Sequence, residues 1–436
     1  MKRTFERAAL VAALGLAVPL AAQERPHAFR GATLYPISSA PIQDGVLVVR
    51  GGKIVAVGGP GTAIPSDAVV HDVSGKVIMP GLVDTHSHIG GGDGGDRSAA
   101  LHPSVRILDA IDARDDGFQK AQAGGITTVN VMPGSGLLMS GQTAYLKVRD
   151  GNTIYDLLLC RDVQKEVCGG LKMANGTNPR GEAPMPGTRA RAAAMVRERF
   201  VKAQEYRDKV RKAGGDASKL PARDLEMETL VEVLDGRRTV HFHTHRADDI
   251  LTAIRIGEEF GFRPVLHHVS EAWKVADQIA AAKVPASIII IDSPGGKLEA
   301  FEFSITSGAA LEKAGALTAF HTDDAITDSR FFLRSAAFGV RAGMSRPKAL
   351  EAMTLAGARM LGLENRIGSL DRGKDADFIV LTGDPLSVYT HVQETWVEGK
   401  KVFDRANEAD RKYAVGGYGV YRNAAMHVHT GEEGHR

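Results

Sequence analysis

Residues 79–97 read MPGLVDTHSHIGGGDGGDR: an apolar run that ends in two histidines one residue apart and then gives way to glycine. Side chains two apart along a strand share a face, so Asp84, His86 and His88 point the same way. In open α/β sheets and in barrels, sites form at the carboxyl ends of strands. His86 and His88 stand at such an end. Two imidazoles there suit a metal ion, while two solvent-facing loop histidines are the plain alternative. The rest of the chain must supply the missing ligands.

Later strand ends supply them. TVHFHTHR (residues 239–246) puts His241, His243 and His245 on one face. VLHHVSE (residues 265–271) ends in His267 and His268, of which a regular strand turns only one inward. AFHTDD (residues 319–324) ends in His321, Asp323 and Asp324. A strand rises about 3.3 Å per residue, so His241 and His245 are too far apart for one ion. Nitrogen and oxygen donors in this mix suit zinc first, and iron, manganese or nickel also fit.

Around these strands the middle of the chain alternates strand and helix. ADDILTAIRIGEEFG and SEAWKVADQIAAAK separate apolar runs such as GITTVNVM and ASIIII, the rhythm of parallel βα units. Residues 188–236 are a charged helical insertion. Both flanks are all-β. DGVLVVRGGKIVAVGG (residues 44–59) is a hairpin signal, and residues 367–404 repeat the strand–turn–strand style. Neither flank makes a core alone, so the two are expected to pack together. The glycine-rich MPGSGLLMSGQ (residues 132–142) lacks a phosphate-loop pattern and reads as a loop over the site.

Composition sets limits. The 436 residues carry 54 Lys plus Arg against 52 Asp plus Glu, a near-balance with no electrostatic footprint for nucleic acid. Lys2, Arg3 and Arg7 precede the apolar run AALVAALGLAVPLAAQ, the pattern of a secretory signal cleaved near Ala22 and Gln23. A periplasmic or secreted mature protein with no stable membrane anchor is therefore expected. Cys160 and Cys168 could pair in an oxidising compartment, but two buried free thiols are the favoured reading. Residues 406–436 read as a tail, with the HVH at 427–429 solvated rather than metal-binding.

PGLVDTHSH, the strand-end histidines, TDD and the closing GSLDRGKDADFIVL together resemble the amidohydrolase superfamily, over about residues 28–405. The nearest branches are imidazolonepropionase-like and dipeptidase-like. The resemblance implies an α/β fold: a distorted TIM (β/α)8 barrel over residues 79–364, with a small β-sandwich built from residues 28–78 and 365–405. It implies one or two divalent ions held by His86, His88, His243, His268 and Asp323. His243 is preferred because HTHRADDI fits the branch with its first histidine, and His245 stays open. Asp323 is preferred over Asp324 because the family's strand ends in T-D. In two-metal members a carboxylated lysine bridges the ions; GGLKMANGTNP offers Lys172, with Lys147 and Glu166 as alternatives. The implied chemistry is hydrolysis of an amide, peptide or cyclic amide by metal-activated hydroxide. Asp323 serves as general base and then acid, and His268 or one of the spare histidines steadies the oxyanion. Arg180 or Arg246 could hold a carboxylate of a small-molecule or short-peptide substrate. A mononuclear imidazolonepropionase-like or deaminase-like hydrolase is one alternative, and a non-catalytic binding protein on the same scaffold is another. A homo-oligomer is compatible with the sequence.

Overall fold

The computed structural model describes residues 25–92, 94–290 and 297–416. The expected signal segment and most of the tail, including its HVH, lie outside the described residues. No helix among the described residues is long and apolar enough to cross a membrane.

The chain opens with five strands: β1 (His27–Leu34), β2 (Ile42–Arg50), β3 (Lys53–Gly58), β4 (Val69–Asp72) and β5 (Val77–Pro80). Gly51 and Gly52 join β2 to β3 with φ of 56° and 74°, a turn that needs left-handed backbone at both central residues. The β/α part follows, with β6 (Leu82–Ser87), β7 (Ile126–Val131), β8 (Met139–Gln142), β9 (Ala144–Lys147), β10 (Leu171–Ala174), β11 (Val240–Thr244), β12 (Val265–His268), β13 (Ala286–Ile288) and β14 (Thr318–Phe320). Then β15 (Phe378–Leu381), β16 (Val392–Val397) and β17 (Lys400–Asp404) return to the first sheet. There β15 pairs antiparallel with β5, and both ends of the chain share one eight-stranded sheet. The distant flanks thus share one sheet. Phe29, Leu47, Ile78, Phe378 and Trp396 form its core, and the Phe378 ring meets Phe29 edge-on at 4.9 Å.

The β/α strands form two ladders rather than one. Strands β10 to β14 run parallel, with the crossover helices Arg189–Ala213 and Leu225–Leu234, Ala247–Phe260, Ala276–Ala281 and Ser307–Ala314 between successive strands. β6 and β7 are parallel in a separate three-stranded sheet completed by β9. β8 and β9 run antiparallel to β10 and β7 respectively. Only Thr143 separates them. The sheets abut at both edges. The Asp323 N–H donates to the His86 carbonyl at 2.9 Å, and the Tyr145 N–H donates to the Cys168 carbonyl at 2.9 Å.

Three expectations are corrected. Residues 139–142 of the glycine-rich stretch are strand β8, and Leu137 and Leu138 before it are buried, so the second half of this stretch is wall, while Met132 at its start stays beside His88 and Lys172. Its apolar residues find a partner in β10. Cys160 and Cys168 form a disulfide instead of two free thiols. The supposed tail begins with a helix, Glu408–Val415, whose Tyr413 and Ala414 pack on the main core.

The shared sheet carries a stability prediction. Phe378→Ala should cost about 3–5 kcal/mol and should strip amide-exchange protection from residues 44–58 as well as from β15. Full protection across 44–58 in that variant would mean that the two flanks are stabilised separately.

Candidate metal centre

Strands β6, β10, β11, β12 and β14 deliver polar side chains to one buried place. From β6 come His86 and, one residue past its end, His88; the Nε2 atoms lie 3.1 Å apart. Asp323 enters from beyond β14, its Oδ1 3.3 Å from His86 Nε2 and 3.1 Å from His88 Nε2. Its Oδ2 is 3.8 Å from Nδ1 of His268, at the end of β12. Lys172 on β10 sets its Nζ 3.1 Å from His86 Nε2 and 3.2 Å from Met132 Sδ. His243 on β11 brings its ring within 4.5 Å of the His268 ring.

The seam between β6 and β14 fixes this geometry. Asp84 takes the Thr322 N–H at 3.0 Å and the Thr322 hydroxyl at 2.5 Å, which holds the strand end carrying Asp323 against β6. Burial pushes the Asp84 carboxyl up to about 7, and the Thr322 and His86 hydrogen bonds oppose that rise. Asp323 itself has φ of 51°, and His268 has φ of 71°.

The His268 backbone overturns the expectation that only one of His267 and His268 faces inward. A left-handed residue leaves the alternation of a regular strand. Both rings come within 5 Å of His86, His267 at 4.9 Å and His268 at 4.8 Å. His267 sits in a deeper layer. His241 Nδ1 lies 2.9 Å from His267 Nε2, and Tyr145 OH lies 2.9 Å from His241 Nε2. His321 stands beside this layer, its ring 5.5 Å from that of His267, bonded to Ser287 at 2.8 Å and reaching His268 Nδ1 at 3.1 Å.

Burial governs the charge states. It holds His86, His267 and His268 well below the usual histidine range, and His241, His245 and His321 down to about 3. Neutral imidazoles keep a lone pair for a cation. Burial, against the attraction of Asp323, lowers the Lys172 ammonium to about 7. The donor set fits a divalent metal. His86, His268 and Asp323 each offer an atom within 4.8 Å of the others, and His86, His267 and His321 make a second such group. The His88 Nδ1 lies 2.7 Å from the Met132 carbonyl, so that nitrogen donates and Nε2 keeps its lone pair toward Asp323.

The remaining expected residues fall in different places. Lys147 is wholly buried in ion pairs with Asp375, at 3.0 Å, and Asp377. Glu166 is exposed. Neither alternative to Lys172 is gathered with the histidines. Asp324 is turned to Lys120 at 3.4 Å and to the Ser329 N–H at 3.0 Å. Arg246 is exposed and pairs with Asp248 at 3.0 Å, whereas Arg180 is half-buried in the turn after β10. His245 is buried beside His243, their rings 4.6 Å apart. Sequence reasoning missed Glu299, which is buried and contributes to a third close group with His243 and His245. Its only signal was an acidic residue in the stretch after the β13 strand.

Comparison with known proteins places the chain in a family. A model of the amidohydrolase family matches residues 77–403. An amidohydrolase of Hapsidospora irregularis is 26% identical over 392 residues, 83% of this chain, and the chain spans 40% of that relative's length. The imidazolonepropionase of Deinococcus radiodurans is 27% identical over 407 residues, covering 83% of this chain and 91% of its own. The crystal structure of an amidohydrolase from Thermotoga maritima aligns with a TM-score of 0.81 and 35% identity, covering 87% of this chain and 100% of that one. The histidines of β6, β11 and β12 and the aspartate beyond β14 all lie within the residues that the family model matches. The chain belongs to the amidohydrolase family.

Proposed function

We propose that this protein is an exported hydrolase that cleaves a carbon–nitrogen bond in a small amide, peptide or cyclic amide. Its centre is one or two divalent ions, zinc first, held by His86, His88, His243, His268, Asp323 and a carboxylated Lys172. The observation that carries the reading is the convergence of His86 Nε2 and His88 Nε2 on one Asp323 oxygen, at 3.3 and 3.1 Å. On this reading the two abutting ladders are one distorted (β/α)8 barrel and the eight-stranded sheet is its small β-sandwich.

A divalent ion in this position polarises a carbonyl and brings the pKa of water toward neutrality. Asp323 takes the proton of the attacking water and hands it to the leaving nitrogen, acting as base and then as acid. His268, beside Asp323, steadies the oxygen that gains charge. Arg180, in the turn after β10, is the candidate for a substrate carboxylate; Arg246, paired with Asp248, is the weaker one. Lys172 is wholly buried, and among the described residues its hydrogen bonds go to His86 and Met132 and to no carboxylate. Addition of its neutral amine to carbon dioxide forms a carbamate and releases one proton. That group has two oxygens and a negative charge, as a bridging ligand requires. The Cys160–Cys168 disulfide supports export to an oxidising compartment, in line with the charged start and apolar run of residues 1–22.

Three measurements test this. Asp323→Asn should fold normally and lose about 10²–10⁴ in turnover; a loss below tenfold moves the proton-transfer role elsewhere. Lys172→Ala should drop the metal content from about two ions toward one and abolish activity, with partial recovery of both in acetate or propionate. Normal metal content and turnover in that variant would leave a mononuclear centre. N-terminal sequencing of protein from the periplasm should begin near Gln23, and an intact Met1 confined to the cytosol rejects export.

A further inference from the structure

At and beyond the β11 strand, two buried side chains outside the centre just proposed, His245 and Glu299, stand with one that belongs to it, His243. His245 follows β11, Glu299 lies in the short 3-10 turn Leu298–Ala300, and His243 is on β11 itself. A nitrogen of each histidine and an oxygen of Glu299 lie within 4.8 Å of one another. His245 is 4% exposed and Glu299 is 2% exposed.

Each of the two new residues is tied at one atom and open at the other. His245 Nδ1 is held by the Ser270 hydroxyl at 2.7 Å, while its buried Nε2 has no hydrogen-bond partner among the described residues. Glu299 Oε2 accepts the Thr177 N–H at 2.6 Å and lies 3.6 Å from Arg189. Its buried Oε1 has no hydrogen-bond partner among the described residues. A β-carbon at Gly176 would collide with Glu299 Oε2, so the backbone is shaped round this carboxylate. A second hydrogen bond that fixes the ring and leaves one lone pair aimed at a common point is how metal-binding histidines are held. A buried carboxylate oxygen and imidazole nitrogen left open cost folding free energy unless something occupies the space between them. Two imidazoles and a glutamate make a ligand set suited to zinc-like divalent ions.

We propose that His243, His245 and Glu299 form a divalent-cation site of their own beside the His86–Asp323 centre. His243 stands at the junction, with its ring 4.6 Å from His245 and 4.5 Å from His268, and it serves both ions as an imidazolate, one nitrogen to each, with its ring proton released to solvent. The inference rests on the proposed function only in taking His243 as part of the catalytic centre. An ion here lies on the side of the centre bounded by the turn after β10. It adds positive charge beside that turn, where Arg189 and Lys297 already act on Glu299.

The test counts ions by mass spectrometry in the full-length protein equilibrated with buffered zinc, and reads the visible spectrum after exchange into cobalt. Glu299→Gln and His245→Asn should each hold one ion fewer than the wild type, with affinity at that position lowered more than about 100-fold. Ser270→Ala, which removes only the group orienting His245, should weaken it about 10–100-fold. Asp323→Asn should keep this ion. If Glu299→Gln retains the wild-type complement and cobalt spectrum, the proposal is overturned, even where Lys172→Ala loses an ion and the catalytic reading stands. Loss of an ion from Glu299→Gln alongside an unaffected Lys172→Ala would instead uphold this site and reject the carbamate bridge. Should Glu299→Gln unfold by circular dichroism, Glu299→Ala and His245→Asn decide, and retention of the full complement by either counts against the site.

Discussion

Taking imidazoles out of water is the constraint on which the rest of this structure depends. His86, His241, His243, His245, His267, His268 and His321 are all buried within one region of the β/α sheets. A charged histidine there would lack solvation, so burial favours the neutral ring and leaves its spare nitrogen an acceptor. Neutral rings can crowd to 3.1 Å between nitrogens where imidazolium ions would repel. Most of the surrounding polar groups serve to place these rings: Ser287 on His321, Ser270 on His245, Tyr145 on His241, and the Met132 carbonyl on His88. A site of this kind can be built only inside a core large enough to exclude water from so many side chains.

That core depends in turn on closing a chain whose two ends are far apart in sequence. The β5–β15 pairing is one clasp. The other is buried: Lys147 on β9 meets Asp375 and Asp377 just before β15, and Lys53 reaches Asp375 from β3 at 2.6 Å. A buried ion pair contributes little net stability, because desolvation offsets its attraction, but removing one partner strands a charge. This cluster therefore acts more as a registration device than as a source of stability. It ties the wall of the β/α part to the sheet and occupies a lysine that sequence alone allows as a metal bridge.

Much of this was legible in the sequence, and the failures have physical causes. Period-two spacing was enough to set His86 beside His88 and His243 beside His245, because those residues lie on or next to regular strands. It failed at His267 and His268, where the backbone leaves the extended region and alternation stops applying. The hairpin at Gly51–Gly52 was readable because its turn chemistry is local. Strands β8 and β9 were not, since four-residue antiparallel pieces in and beside a glycine-rich stretch carry too short a pattern to register. Pairing of Cys160 with Cys168 depends on Cα positions, which a spacing of eight does not specify. Glu299 had no periodic signal at all. Its place beside His243 and His245 comes from a turn that follows a different strand, and only the folded chain brings them together.

The ends of β12 and β14 bear one more consequence. His268, Val269 and Asp323 all hold φ between 40° and 71°, a region that costs ordinary residues energy and that glycine enters freely. For Val269, a β-branched residue, the conformation is especially unfavourable. Glycine would enter this backbone at less cost than histidine or aspartate does. Under the proposed function, stability and catalysis make opposing demands at these two positions.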